Sequence, residues 1–212
     1  MNNYMPLIKR FFYIPCKGDE CFKLAELIRE KAPQVELVEI DITDTGLYIE
    51  MYGYRTDIKN AWEYIRRLVS SAKASEQYGK QGTRRIKIEY LVEKKKKTFS
   101  PVVLSEILKH KGFKADLSDY KDEIVTDAPL EVIEEIIDNM WDILEKIKYD
   151  VRGTTTKYFV TIASILTNKD PQEVIMKAYS IGLLFKDEDE KYRLRKEWRK
   201  AISEFLNKVM SK

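Results

Sequence analysis

The chain has 212 residues, 44% hydrophobic and 34% charged, with 38 Lys and Arg against 35 Asp and Glu and a single His. That supplies one large core or two small ones and excludes a disordered chain. No apolar run reaches membrane-spanning length and no signal-type segment follows Met1, so the sequence predicts a soluble, cytoplasmic protein with no membrane partner.

From the N-terminus, residues 7–14 (LIKRFFYI) read as a strand stopped by Pro15. Asp19 is a candidate N-cap for a helix whose apolar face is Cys21, Leu24, Ala25, Leu27 and Ile28, ended by Pro33. Val35–Ile42 and Leu47–Tyr54 alternate as strands around the turn Thr43-Asp44-Thr45-Gly46. Thr56 then opens a helix with an inner stripe of Ile58, Ala61, Trp62, Ile65, Leu68 and Val69. The order is β-α-β-β-α.

The same order is predicted again. Ile86–Val92 reads as a strand, Ser100-Pro101 as a helix start, and Gly112 as its end. Lys114–Leu117 and Glu123–Thr126 are short strands, and Asp127 caps a helix with Ile133, Ile136, Ile137, Met140, Ile143, Leu144 and Ile147 inward. LAELIREK at 24–31 lines up with LSEILKHK at 104–111. The expected fold class is therefore α+β: two β-α-β-β-α modules of KH or ferredoxin-like layout, residues 1–78 and 79–150, then a helical region, 151–212. In that last region Thr154–Asn168 is helical, and Asp170-Pro171-Gln172-Glu173 is a capping box with Pro at the first helical position. Gly182 closes that helix, Leu183–Phe185 and Lys191–Leu194 form a small hairpin, and Leu194, Trp198, Ile202, Phe205 and Val209 mark a final amphipathic helix.

Charge is concentrated between the modules. Gly79–Thr98 holds eight cations (Lys80, Arg84, Arg85, Lys87, Lys94, Lys95, Lys96, Lys97) and two acids, so it carries +6 where the whole chain carries +3. Residues 99–153 carry −6 and residues 154–212 carry +4. A strand bracketed by cations points to a polyanion, and these eight side chains are the candidate phosphate contacts. If Leu47, Ile49 and Met51 face the helices, Tyr48, Tyr52 and Tyr54 line the opposite sheet face, where aromatics stack bases in RNA-binding α+β domains. The plainer alternative is that this face packs against the second module.

The expected function is non-enzymatic nucleic-acid binding, RNA over DNA. The first alternative is a protein-interaction or assembly module, in which Glu131, Glu134, Glu135, Asp138 and Asp142 meet a basic partner or the chain's own cationic strip in a homo-oligomer. The second is a DNA-binding regulator, since Asp170–Leu194 resembles the last helix and wing of a winged helix. Gly79-Lys-Gln-Gly82 matches the Gly-x-x-Gly of KH domains, but there the loop joins two helices, so a linker is the expectation here.

Signals for catalysis are thin. His110 lies in a Lys-His-Lys setting, and Asp44-Thr45-Gly46 lacks the second copy an aspartic-protease site requires. Glu93-Lys94-Lys95 at a strand end is a faint nuclease pattern, a minor alternative that also needs a metal-binding Asp brought near by the fold. Cys16 and Cys21 are too few for a disulfide framework and have no second pair to close a zinc site, so no metal or cofactor is expected.

Two stretches, LSEILKHKGFKADLSDYKDEIVTDAPLEVI at 104–133 and NKDPQEVIMKAYSIGLLFKDEDEKYRL at 168–194, resemble a set of uncharacterised conserved archaeal proteins. The resemblance implies an archaeal source and a shared fold. It brings no activity and no catalytic residue. The charge-rich composition agrees with a thermophile.

Overall fold

A computed structural model describes residues 6–31, 35–76 and 82–210. The chain divides into two compact units, Met1–Gln77 and Tyr78–Lys212.

The first unit runs β1 (Leu7–Pro15), α1 (Asp19–Lys31), β2 (Leu37–Ile42), β3 (Gly46–Tyr54), α2 (Arg55–Glu76). Its three strands are antiparallel in the order β1-β3-β2. Period-two alternation sorts β3 cleanly: Leu47, Ile49 and Met51 are fully buried, whereas Tyr48, Tyr52 and Tyr54 are exposed. On the buried side Ile14 and the central β3 residues meet the apolar faces of α1 and α2, and the Phe12 ring stacks on Trp62 of α2 at 4.2 Å. Cys16 and Cys21, both buried, form a disulfide that ties the end of β1 to the first turn of α1. Gly46 opens β3 because a Cβ there would lie 2.5 Å from the Ile14 carbonyl oxygen.

The second unit begins with β4 (Arg84–Lys87), α3 (Ile88–Lys95) and α4 (Pro101–His110), then β5 (Ala115–Leu117), β6 (Glu123–Thr126) and α5 (Leu130–Ile147). The expected strand 86–92 is corrected here: only its first residues are extended, and Ile88 onward is helix. Strand β4 can be no longer than its partner β6, and Ile88, Leu91 and Val92 also satisfy helical spacing among good helix formers. The sheet order is β4-β6-β5, again antiparallel, so both units use the first-third-second arrangement. Asp127 does not cap α5; its carboxylate accepts a hydrogen bond from the Lys114 backbone N–H at 2.8 Å, and Pro129 holds the N-cap position.

The same unit continues through α6 (Thr154–Thr167), α7 (Pro171–Ser180), the hairpin β7 (Leu184–Lys186) and β8 (Tyr192–Leu194), and α8 (Trp198–Met210). Leu194 thus belongs to the hairpin and not to the last helix. Asp170 caps α7 as its residue type demands, accepting from the Gln172 N–H at 2.9 Å, and Gly182 takes the left-handed conformation at φ +79°. Helix α6 is buried on most sides, with Phe159, Val160, Ile162 and Ala163 inaccessible and Phe159 edge-on to Phe205 of α8 at 5.7 Å. Helix α5 packs on both α6 and α7, and Val151 bridges to Tyr192 of the hairpin.

Candidate functional site

The cations predicted to meet phosphate do not form one free strip. Arg84 faces inward on β4 and is buried at 7% exposure. Arg85 sits 3.7 Å from Glu123 of β6. Lys94 bonds Glu134 at 2.5 Å, while Lys95 and Lys97 converge on Asp138 at 2.6 and 2.8 Å. Glu134 and Asp138 are one helical turn apart on α5, so the last turn of α3 is clamped to that helix. The acidic face of α5 meets the chain's own cations, as the assembly alternative has it, but within one chain. Three ammonium contacts hold these carboxylates. The Asp138 carboxyl is held below its ordinary range, chiefly by the hydrogen bonds from Lys95 and Lys97. Burial would lower the Lys94 ammonium pKa, yet the hydrogen bond to Glu134 and the nearby Tyr90 and Glu134 charges outweigh it and leave it raised.

Lys87 and Lys96 are exposed and make no ion pair with a described residue; Lys96 ends α3 in a left-handed conformation at φ 51°. Lys80, and with it Gly79 and Gln81 of the Gly-x-x-Gly stretch, lies outside the described residues. The sheet of the second unit turns Arg85, Lys87, Asp116 and Glu123 outward around Val125, a mixed-charge surface.

The first unit's sheet is different. Its outward face reads in rows across β1, β3 and β2: Tyr13, Tyr48, Asp41; Phe11, Glu50, Glu39; Lys9, Tyr52, Leu37; then Leu7 and Tyr54. Leu7, Phe11, Tyr13, Leu37, Tyr48, Tyr52 and Tyr54 on this face are each between 38% and 68% exposed. The predicted tyrosines Tyr48, Tyr52 and Tyr54 do share it. Sequence reasoning missed Phe11 and Tyr13 on β1, because LIKRFFYI does not alternate and only pairing with β3 sets which of its residues face outward. The rings of Tyr13 and Tyr48 lie 5.0 Å apart, and the Tyr13 hydroxyl donates to the Thr45 carbonyl at 2.7 Å, which fixes that ring. Lys9 pairs with Glu50 while its ammonium sits 5.4 Å from the Phe11 ring centre. Glu39 and Asp41 are exposed and have no ion-pair partner among the described residues.

A cleft of about 580 Å³ in the second unit lies between α5, the end of α6 and the start of α7. Val132, Ile136 and Ile165 contribute apolar lining, and Glu135, Asp142 and Lys169 contribute charges of both signs. Among the described residues no three His, Cys, Asp or Glu side chains cluster as metal ligands, and no helix is long and apolar enough to cross a membrane. His110, at the end of α4, has Glu106 3.8 Å away, and both cysteines are in the disulfide.

A mixed α+β protein with two small antiparallel sheets of like strand order and an aromatic sheet face is thus defined by the geometry. The chain belongs to a family described as an uncharacterised protein conserved in archaea (DUF2067), whose model matches residues 16–203. No curated protein and no solved structure matches it.

Proposed function

We propose that this protein is a non-catalytic binding module whose working surface is the outward sheet face of the first unit. One observation carries it: seven large apolar side chains share one exposed face, in a concentration that soluble proteins keep for a partner. The helices of that unit lie on the opposite side of the sheet, so nothing in the local fold calls for outward tyrosines. The experiment is retention of proteins from nuclease-treated archaeal extract on the immobilised full chain, compared with a Phe11→Ser/Tyr52→Ser double variant. A discrete set held by the native chain and lost by the variant is expected. An identical set on both removes the proposal.

Nucleic-acid binding, with RNA favoured, is the second reading, and the same tyrosines favour it, because exposed sheet aromatics stack bases. Charge weighs on the other side: Lys94, Lys95 and Lys97 are engaged by α5, and Glu39, Asp41 and Glu50 stand among the tyrosines, where a phosphate backbone needs cations. Filter binding at two salt concentrations tests it; affinity that is absent at low salt, or insensitive to salt, ends it. DNA binding through α7 has less support. Its outward residues Gln172, Glu173, Met176 and Lys177 sum to no net charge, and the hairpin tip carries Asp187, Glu188, Asp189 and Glu190.

We also read the two sheets as one layout used twice, with the first helix of the second copy split into α3 and α4. The shared strand order supports this. A joint between two helices is the setting of the KH clamp, and here it is Lys96–Ser100, without a Gly-x-x-Gly.

A further inference from the structure

We infer that the first unit's sheet face takes a cationic protein segment, extended and with arginines at alternate positions; this rests on the proposal that the face is a docking surface. The rows supply aromatic rings and carboxylates side by side. Asp41 is directly across from Tyr48, and Glu39 is one diagonal step from the same ring. Glu39 and Glu50 stand opposite each other, a like-charge cross-strand pair that a cation between them relieves. Lys9 already shows the mode from within the chain, its ammonium near the Phe11 ring and paired with Glu50. Beside Tyr48, Asp41 and Glu39 the same kind of place exists with no resident cation among the described residues.

Arginine fits such a place better than lysine. A guanidinium stacks on an aromatic face and forks to a carboxylate at once, while an ammonium is a compact, strongly hydrated point charge. The partner's spacing follows from the sheet. Rows two residues apart are about 6.7 Å apart along the strands, the same as alternate side chains of an extended peptide. The apolar remainder, Leu7, Leu37, Tyr52 and Tyr54, gives such a peptide surface to bury. A nucleic acid brings the opposite charge to these carboxylates.

The test is fluorescence anisotropy of the full chain with a fluorescein-labelled peptide alternating arginine and serine over eight residues. The same peptide with lysine for arginine, and a labelled 15-nucleotide oligouridylate, are the other probes. The arginine peptide is expected to bind at least fivefold tighter than the lysine one. A Glu39→Gln/Asp41→Asn double variant, at two exposed positions, is expected to weaken it at least tenfold with an unchanged unfolding transition. Equal affinity for both peptides, indifference to the carboxylate change, or binding of the oligouridylate in place of the arginine peptide each overturn the inference. If the Phe11→Ser/Tyr52→Ser variant sheds its extract partners while the carboxylate variant keeps them, the docking face stands and only its cationic partner falls. If neither variant sheds anything, both fall together.

Discussion

The two three-stranded sheets share a strand order and differ in what they turn outward. In the first unit, rings and carboxylates alternate over a face that its own helices leave exposed. In the second, Arg85, Lys87, Asp116 and Glu123 carry both signs, and Lys94, Lys95 and Lys97, which follow them in sequence, are paired with α5. The strand order is thus the same, but the first sheet turns apolar area outward where the second turns charges of both signs. The lesson concerns charge runs. A +6 segment carries less free field than its sequence suggests once carboxylates forty residues later reach three of its lysines.

The sharpest way to break this comparison is to exchange inside for outside on β3. Ile49 is fully buried beneath the central strand, so Ile49→Ala is expected to cost about 3 kcal/mol in denaturant unfolding. Tyr52→Ser, three positions along but outward, is expected to cost about 1 kcal/mol or less while abolishing partner retention. Equal costs would mean that the tyrosine face is core after all. Next in size is the disulfide. Closing the short loop between Cys16 and Cys21 is worth about 2 kcal/mol on the chain-entropy account. Reduction should therefore loosen amide protection in α1 and β1 and leave α5 and α6 unmoved. Loss of protection across both units would show that the disulfide is not a local tie.

Much of this fold was legible because its signals were local. The Asp170-Pro171 start of α7, the stripe of α2 from Ile58 to Val69 and the alternation of β3 each hold within a few residues, and each folds as written. What failed depended on a distant partner. Ile86–Val92 satisfies both periods, and only the four-residue length of β6 decides where extension stops. Asp127 has cap chemistry, but the Lys114 N–H reaches it first. Of the candidate site, the tyrosine face was readable from period two alone. Phe11 and Tyr13 were hidden in an apolar run that shows no alternation until β3 sets the register. The fate of the lysines was a tertiary matter, since nothing between Lys94 and Glu134 announces that they meet.

A smaller perturbation sharpens the contrast from the second unit. Asp138→Asn removes the shared partner of Lys95 and Lys97, and is expected to cost about 1 kcal/mol, the upper end for partly exposed pairs. It also frees two cations. Combined with Glu134→Gln, it should raise low-salt affinity for oligouridylate and steepen its salt dependence by up to about two counterions. Should the double variant bind polyanion no better than the native chain, the α5 carboxylates are not what silences the basic segment.

The least disruptive probe is pH, because each end of the clamp titrates differently. Asp138 has its folded pKa depressed by the Lys95 and Lys97 hydrogen bonds, so its contribution is present above the ordinary Asp value of about 4 and is lost as pH falls through the lower folded value. Lys94 has its folded pKa raised above 10.5, the hydrogen bond to Glu134 overcoming the opposing effect of burial. Its contribution is complete below that value and is lost as pH rises through the raised one. Protection of the α3 amides against hydrogen exchange should therefore hold a plateau across neutral pH and decline at both ends. Asp138→Asn should flatten the acid decline and leave the alkaline one; Lys94→Gln should do the reverse. If either variant flattens both limbs, α3 is held to α5 by a single coupled contact, and the two carboxylates do not act as separate anchors.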